Sequence, residues 1–276
     1  MKLPLPGLTI PLAVIVLLIA AVWVGLRVAP APIPAFTGAP GSVETIPVPA
    51  GLPAPVDRFY HVVYGARIPV IGSVVISGRA EIRPFGRPTL QARFRFTHVA
   101  GRSYRHYIEA TFFGLPVMRI NESYVDGFSR FETPAGLEEG EPKTEQAANL
   151  GMWAELSALP AALLTDPRVR WEPLDADSAL LVVPGDGKGE ERFTVRFDPR
   201  TGLVTLMEAM RYQKKDSAEK TLWVTRALKW GALAGYGMST VGSAWWYGTD
   251  RPWAIFRTEN VVLNPDLTEY INQRGP

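Results

Sequence analysis

Apolar and polar positions alternate most regularly over residues 90–98. Leu90, Ala92, Phe94, Phe96 and His98 share one face, and Gln91, Arg93, Arg95 and Thr97 share the other. Period two predicts a strand with one face on a core and one face in water. Ala100-Gly101 then reads as a turn and residues 102–113 as the antiparallel partner. The pattern continues through residues 115–124 and 128–132, joined by Asp126-Gly127, a pair suited to a two-residue hairpin. Residues 191–197 and 203–212 flank Asp198-Pro199-Arg200-Thr201-Gly202, where proline and glycine stand at turn positions. Residues 220–230 and 254–263 read as late strands. The expected total is about ten to twelve.

One stretch breaks the period. Thr144 can cap a helix that starts at Glu145 and ends near Ala158, ahead of Pro160. Met152, Leu156, Leu159 and Leu163 fall on one helical face. Residues 134–143 read as an acidic loop. A single helix cannot cover ten strands, and a sheet with one wet face must bury the other. The expected fold is α+β, mostly β, with a long antiparallel sheet curled into a half-barrel or open barrel around one central helix. Such a shape leaves an apolar concavity for a small molecule or lipid.

Residues 8–26 carry no charge. As a helix they span about 28 Å, close to the hydrocarbon core of a bilayer, and Trp23 lies near one end, where aromatic rings favour the interface. A cleaved signal peptide is the rival reading, but the Ala29-Pro30-Ala31 match is followed by Pro32, a poor cleavage context. Residues 8–26 are therefore expected to anchor the chain in the cell membrane as a single pass. Prolines at 30, 32, 34, 40, 47, 49, 53 and 55 predict an extended tether. The expected division is an anchor over 1–28, a Pro-rich linker over 29–56 and one β-rich domain over 57–276, placed outside the cytoplasm.

Composition removes several functions. The 276 residues hold 29 Lys plus Arg against 27 Asp plus Glu, a net charge of +2. That balance does not favour a nucleic-acid partner. With Lys2 and Arg27 set aside, 27 basic residues face 27 acidic ones, so attraction to anionic headgroups is not indicated either. There is no cysteine, which excludes disulfides, thiol catalysis and thiolate-bound zinc.

The candidate chemistry is sparse. If Ala100-Gly101 is a two-residue turn, His98 faces Ser103 and His106 faces Arg95. The histidines at 61, 98 and 106 then share no metal, and neither a metal nor a cofactor is expected. No Gly-x-Ser-x-Gly elbow occurs. Residues 231–242 are Gly-rich but lack the lysine of a phosphate loop, so they read as a flexible loop or sheet edge. No catalytic residue is assigned. Glu155, in an apolar helix, reads as one half of a structural ion pair, with Arg93, Arg170 or Arg196 as partner; an exposed Glu or a ligand-binding acid are the alternatives. Phe94, Phe96, Met152, Leu156, Trp245, Trp246 and Trp253 are the candidate ligand-binding residues. The aromatic ones serve equally well as core filling.

The segment Leu52-Pro53-Ala54-Pro55-Val56-Asp57-Arg58-Phe59-Tyr60, with Tyr64-Gly65 and the strand at Gly78, resembles the opening of a family of uncharacterised exported bacterial proteins. Glu155 ahead of Pro160-Ala161-Ala162-Leu163-Leu164 resembles that family's central motif, and Pro252-Trp253 through Asn264 its last segment. The family has no assigned activity, so the resemblance implies no catalytic residues. At the level of fold it is similar to the half-barrels of periplasmic lipoprotein carriers. The functional expectation is a membrane-anchored domain that binds a lipid or other hydrophobic ligand without catalysis. The alternatives are an envelope structural or protein-interaction module with a filled core, and a hydrolase whose site is not legible.

Overall fold

The computed structural model describes residues 6–276 apart from Phe85, Arg87 and Lys188, with side chains from residue 11 onward. Helix α1 (Pro6–Gly25) leads into an extended segment that includes strand β1 (Thr45–Pro47). Helix α2 (Ala54–Tyr64) follows, and β2 (Arg67–Pro69) pairs with β1 as a small ribbon. Six strands come next: β3 (Ser73–Ile82), β4 (Leu90–Val99), β5 (Ser103–Phe112), β6 (Leu115–Val125), β7 (Phe128–Thr133) and β8 (Gly136–Glu139). Helix α3 (Pro142–Glu155), a 3₁₀ turn (Leu156–Ala158) and helix α4 (Ala162–Thr165) interrupt the sheet. Seven strands complete it: β9 (Arg170–Pro173), β10 (Ser178–Pro184), β11 (Glu190–Phe197), β12 (Val204–Arg211), β13 (Thr221–Leu233), β14 (Tyr236–Trp246) and β15 (Ala254–Leu263).

Among the described residues, thirteen strands form one antiparallel sheet in the order β8-β7-β6-β5-β4-β3-β15-β14-β13-β12-β11-β10-β9. Two meanders are thus joined at the centre, where the last strand pairs with β3. Gly78 permits that junction. A Cβ there would lie 2.0 Å from the Arg257 carbonyl oxygen, beside the bulge between Thr258 and Asn260. The sheet does not close, and β8 and β9 are its free edges.

The helices lie on one face of the sheet. α3 packs on β6, β7 and β12, the 3₁₀ turn on β14, and α2 on β10 and β14. Trp153, Leu156, Leu159, Phe59, Tyr60, Phe94 and Phe193 are almost wholly buried there. The expected helical face Met152, Leu156, Leu159 and Leu163 is core throughout.

Several sequence expectations need correction. The helix starts at Pro142, whose missing N–H costs nothing at the first helical position, and not after Thr144. A second helix, α2, shares the concave face and begins inside the stretch read as linker, so the single-helix picture was too simple. The acidic loop contains β8, paired with β7. Residues 231–242 are not a loop but the tip of the β13–β14 hairpin, turned at Ala234 (φ 51°) and Gly235 (φ 82°). The Asp126-Gly127 turn is as expected, with φ of 49° and 90°.

The face expected to meet water is covered. Pro-rich backbone lies along it: Arg93 donates to the carbonyls of Ala31 (3.3 Å) and Pro32 (3.4 Å), and Arg95 to that of Pro34. The C-terminal tail lies alongside, with Arg105 donating to the Gly275 carbonyl and Tyr270 packed edge-on against Phe36. Arg95, Thr97, Arg105 and Glu109 are consequently buried, although they alternate with the core residues.

At the N-terminus, Gly25 abuts the rings of Phe112 and Phe113, and its carbonyl accepts from the Phe113 N–H at 2.8 Å. Among the described residues no helix is long and apolar enough to cross a membrane.

Candidate functional site

The site lies on the concave face, where the β4–β5 hairpin meets the end of α3. The connection between these strands has three residues, Ala100, Gly101 and Arg102, with Gly101 at φ 65°. Val99 therefore pairs with Ser103, His98 with Tyr104, and Phe96 with His106. The two-residue turn expected from sequence puts His106 on the opposite face. One extra residue reverses that, because side chains alternate along a strand. His98 and His106 thus share the inner face, their ring centroids 5.7 Å apart.

Glu155 ends α3 directly above them. Its Oε2 lies 2.6 Å from His106 Nε2 and 3.1 Å from His98 Nε2. The partner of Glu155 is therefore a histidine pair and not an arginine. The three arginines named from sequence are engaged elsewhere: Arg93 with Glu109 (2.5 Å), Arg170 with Glu190, and Arg196 with Glu208 (2.8 Å). Glu122 on β6 stands 3.6 Å behind His106 Nδ1 and accepts from the Tyr104 hydroxyl at 2.5 Å. Arg211, from the end of β12, is half-buried near both glutamates and stacks its guanidinium 4.3 Å over Trp223.

Burial and charge oppose each other here. Burial pulls His106 down, but the Glu155 and Glu122 carboxylates beside it push it up to about 9. Burial holds His98 below the usual histidine value despite Glu155, and His106 adds to that effect. For Glu155, burial favours the neutral acid, but the two imidazoles bring it down to about 2.

A cleft leads to this cluster. A cavity of about 150 Å³ is walled by Phe94, Phe96, Ile108, Trp223 and Phe256, with His98, His106 and Glu155 among its lining. It adjoins a space of about 400 Å³ that shares Glu122, Arg211 and Trp253 with it. A third, of about 1060 Å³, shares Trp246, Phe131 and Trp253 with the second and is lined further by Ile82, Met118 and Ile120. Trp253 borders all three. The β3–β4, β7–β8 and β14–β15 connections form the mouth. His98 lies eight positions along β4 from Leu90 at that mouth, roughly 26 Å at strand spacing.

The candidate ligand residues divide accordingly. Phe94, Phe96 and Trp253 line the inner cavity, and Trp246 the outer spaces. Leu156 is core and lines none of them, because α3 presents Gly151, Ala154 and Glu155, and the 3₁₀ turn Ala158, to the cavity instead. Met152 borders only a separate surface recess near Gly101. Trp245 points to the other face of β14, where Arg226 stacks on it at 5.2 Å and its Nε1–H donates to the Thr249 carbonyl. His98, His106, Glu122 and Arg211 were not singled out from sequence as site residues. The usable signal was the parity of His98 and His106 around a turn of uncertain length.

The residues that carried the family resemblance also converge. The Tyr60 hydroxyl donates to the Pro160 carbonyl at 2.7 Å, and the Tyr64 hydroxyl accepts from the Ala161 N–H at 3.4 Å. Asn264 Oδ1 accepts from Gly72 N–H at 2.8 Å, while its Nδ2 donates to the carbonyls of Ser42 (2.9 Å) and Val70 (3.0 Å). Tyr60, Tyr64 and Asn264 thus join chain segments and line none of the three spaces, whereas Glu155 and Trp253 of the same motifs line the inner cavity. Residues 42–258 match the model of DUF6544, described as a family of unknown function. No curated protein matches the chain. Similar solved structures include a LolA superfamily protein from Nitrosomonas europaea, at 10% identity and TM-score 0.47, covering 80% of this chain and 96% of that one. A DUF1329 family protein from Desulfovibrio piger is similar at 13% identity and TM-score 0.42, covering 80% and 94%. The expectation of a family without assigned activity is met by the DUF6544 match.

Proposed function

We propose that this chain, which belongs to the DUF6544 family of unknown function, binds an amphipathic, lipid-class ligand in its concave cleft while its N-terminal helix holds it at a membrane. The observation that carries the reading is the inner cavity: aromatic and aliphatic walls with the His98, His106 and Glu155 cluster in its lining, next to wider spaces whose rims carry charged groups such as Lys143, Lys214 and Glu138. An apolar tail fits the Phe94, Phe96, Phe256 and Trp253 walls, where its burial gains about 25 cal/mol per Å². The polar cluster fixes the orientation, as a few placed polar groups do in apolar pockets generally. This favours the binding reading over an interaction module with a filled core.

Strand register supports the membrane part. The mouth lies at the end of the sheet that carries the β5–β6 turn, because Leu90 and Phe112 stand at the same ends of their strands. That turn is where α1 ends, on Phe112 and Phe113. Phe113, Leu115 and Val117 are exposed beside it, as are Leu17, Ile19 and Val22 of α1. Exposed apolar side chains on both elements suit a lipid partner. A ligand leaving the bilayer would meet the mouth first.

The test is titration of the full chain, in mild detergent, with a fluorescent fatty-acid probe. The reading expects saturable binding of one probe per chain with a change in tryptophan emission, weakened at least tenfold in Trp253→Ala. A folded protein that binds no apolar probe would return the interaction module as the better reading.

A further inference from the structure

We propose that His98, His106 and Glu155 bind a divalent transition-metal ion of the zinc class, with its open coordination position facing the inner cavity. This stands on the geometry of the cluster and is independent of the lipid reading. One ligand atom from each residue lies within 4.8 Å of the others. Two imidazoles and one carboxylate are a donor set that suits zinc, and three protein ligands leave a fourth position free.

The second observation is the state of those atoms. His98 and His106 are 1% and 4% exposed, and both His98 nitrogens, His106 Nε2 and Glu155 Oε2 have no hydrogen-bond partner. The approaches of 2.6 and 3.1 Å are close, but neither ring nitrogen is aligned to donate along them. Buried nitrogens without partners carry a desolvation cost that a hydrogen bond would normally offset. A single ion seated among these three atoms would ligate all of them. Nitrogen and oxygen ligands of a tetrahedral zinc stand about 3.3 Å apart, so Glu155 need move from His106 by less than about 1 Å.

The surroundings are those of a metal ligand. Glu122 lies behind the Nδ1 side of His106 and is itself held by the Tyr104 hydroxyl, the carboxylate–histidine arrangement that orients a metal-binding ring. Arg211 opposes a cation, and the negative charge of Glu122 offsets it. On the remaining side lies the cavity lined by Phe96, Trp223 and Ser243, into which a metal-bound water or a ligand's polar end would project.

The full chain, purified in mild detergent and stripped with a chelator, is titrated with Zn²⁺ alone and with Co²⁺ alone. The proposal expects one ion per chain, a rise in Tm with Zn²⁺, and the strong visible absorption of four-coordinate cobalt. His98→Ala and the near-isosteric Glu155→Gln should each weaken Zn²⁺ binding by at least 100-fold. Glu122→Gln should weaken it 10- to 100-fold with stoichiometry unchanged. Circular dichroism reports whether each variant is folded. His61→Ala serves as the control, because His61 is exposed beside Asp57 and remote in sequence. No stoichiometric ion, or binding that survives Glu155→Gln and disappears in His61→Ala, would overturn the proposal.

Discussion

The two faces of β4 and β5 bury polar groups in opposite ways. On the outer face Arg93 pairs with Glu109 across the strands, and Arg95 and Arg105 donate to carbonyls of the Pro-rich segment and the C-terminal tail. Glu109 takes both Arg93 and Arg119, Arg95 and Arg105 rest on neutral carbonyls, and covering segments close the face, with only Arg95 Nε and Thr97 Oγ1 left without partners among the described polar atoms there. On the inner face His98, His106 and Glu155 converge on one another, keep nitrogens without partners, and border a cavity. Buried charge that meets an opposite charge or a carbonyl beneath a covering segment serves structure. Buried polar groups that are concentrated, incompletely paired and next to open space mark a site. The same two strands therefore hold a fastening on one face and the proposed binding surface on the other, separated by the thickness of the sheet.

The comparison breaks most severely from the inside. Leu156→Glu places a charge in the core under the 3₁₀ turn with no partner, and the protein should lose its cooperative thermal transition. Leu156→Ala should cost about 2–5 kcal/mol and leave the transition intact. On the outer face, Glu109→Ala leaves Arg93 facing Tyr107 and Arg119 without its carboxylate, at a cost of about 3 kcal/mol in denaturant unfolding. The same carboxylate predicts a pH effect. Burial raises its pKa, but the Tyr107 hydroxyl and the Arg93 and Arg119 guanidinia hold it below the usual carboxylate value. Its stabilisation is complete above the ordinary glutamate pKa and is lost as pH falls through the depressed one. Glu109→Gln should flatten that part of the stability–pH curve.

The match between the Pro-rich segment and the sheet is weaker and local. Arg95→Ala removes the donor to the Pro34 carbonyl and the contact with Tyr270, for about 2 kcal/mol. Its sharper signature is limited proteolysis, with cleavage within residues 28–40 at protease levels that spare the parent chain. The smallest effect belongs to Trp245→Ala. That ring lies outside the cleft against Arg226, so stability should fall by about 1 kcal/mol and probe binding should not change.

Most of the sheet was legible because its strands obey period two, and Asp126-Gly127 and the Asp198–Gly202 turn carry their own chemistry. Asp198 shows why: its Oδ1 accepts from the Arg200 and Thr201 N–H groups at 2.9 and 2.8 Å. Helix α2 was missed because Pro53 and Pro55 stand at its start, and proline reads as a break although it is harmless in a first helical turn. The site was missed for two physical reasons. Its assembly depends on whether one turn holds two or three residues, which alternation alone cannot decide. It also needs Glu155, Glu122 and Arg211 brought in from three other elements, a matter of sheet curl and helix seating. Covering of the outer face was equally hidden, since Arg93 and Arg95 alternate like solvated residues and meet carbonyls that have no sequence signature.

The central claim, that the inner face is an occupied binding surface and the outer face only a fastening, is tested most directly by native mass spectrometry of the full chain extracted in mild detergent. The account predicts one co-purifying lipid-class molecule per chain, absent from Phe96→Asp and retained in the outer-face variant Arg95→Ala. A folded chain of bare polypeptide mass, or an adduct lost in Arg95→Ala and kept in Phe96→Asp, would contradict it.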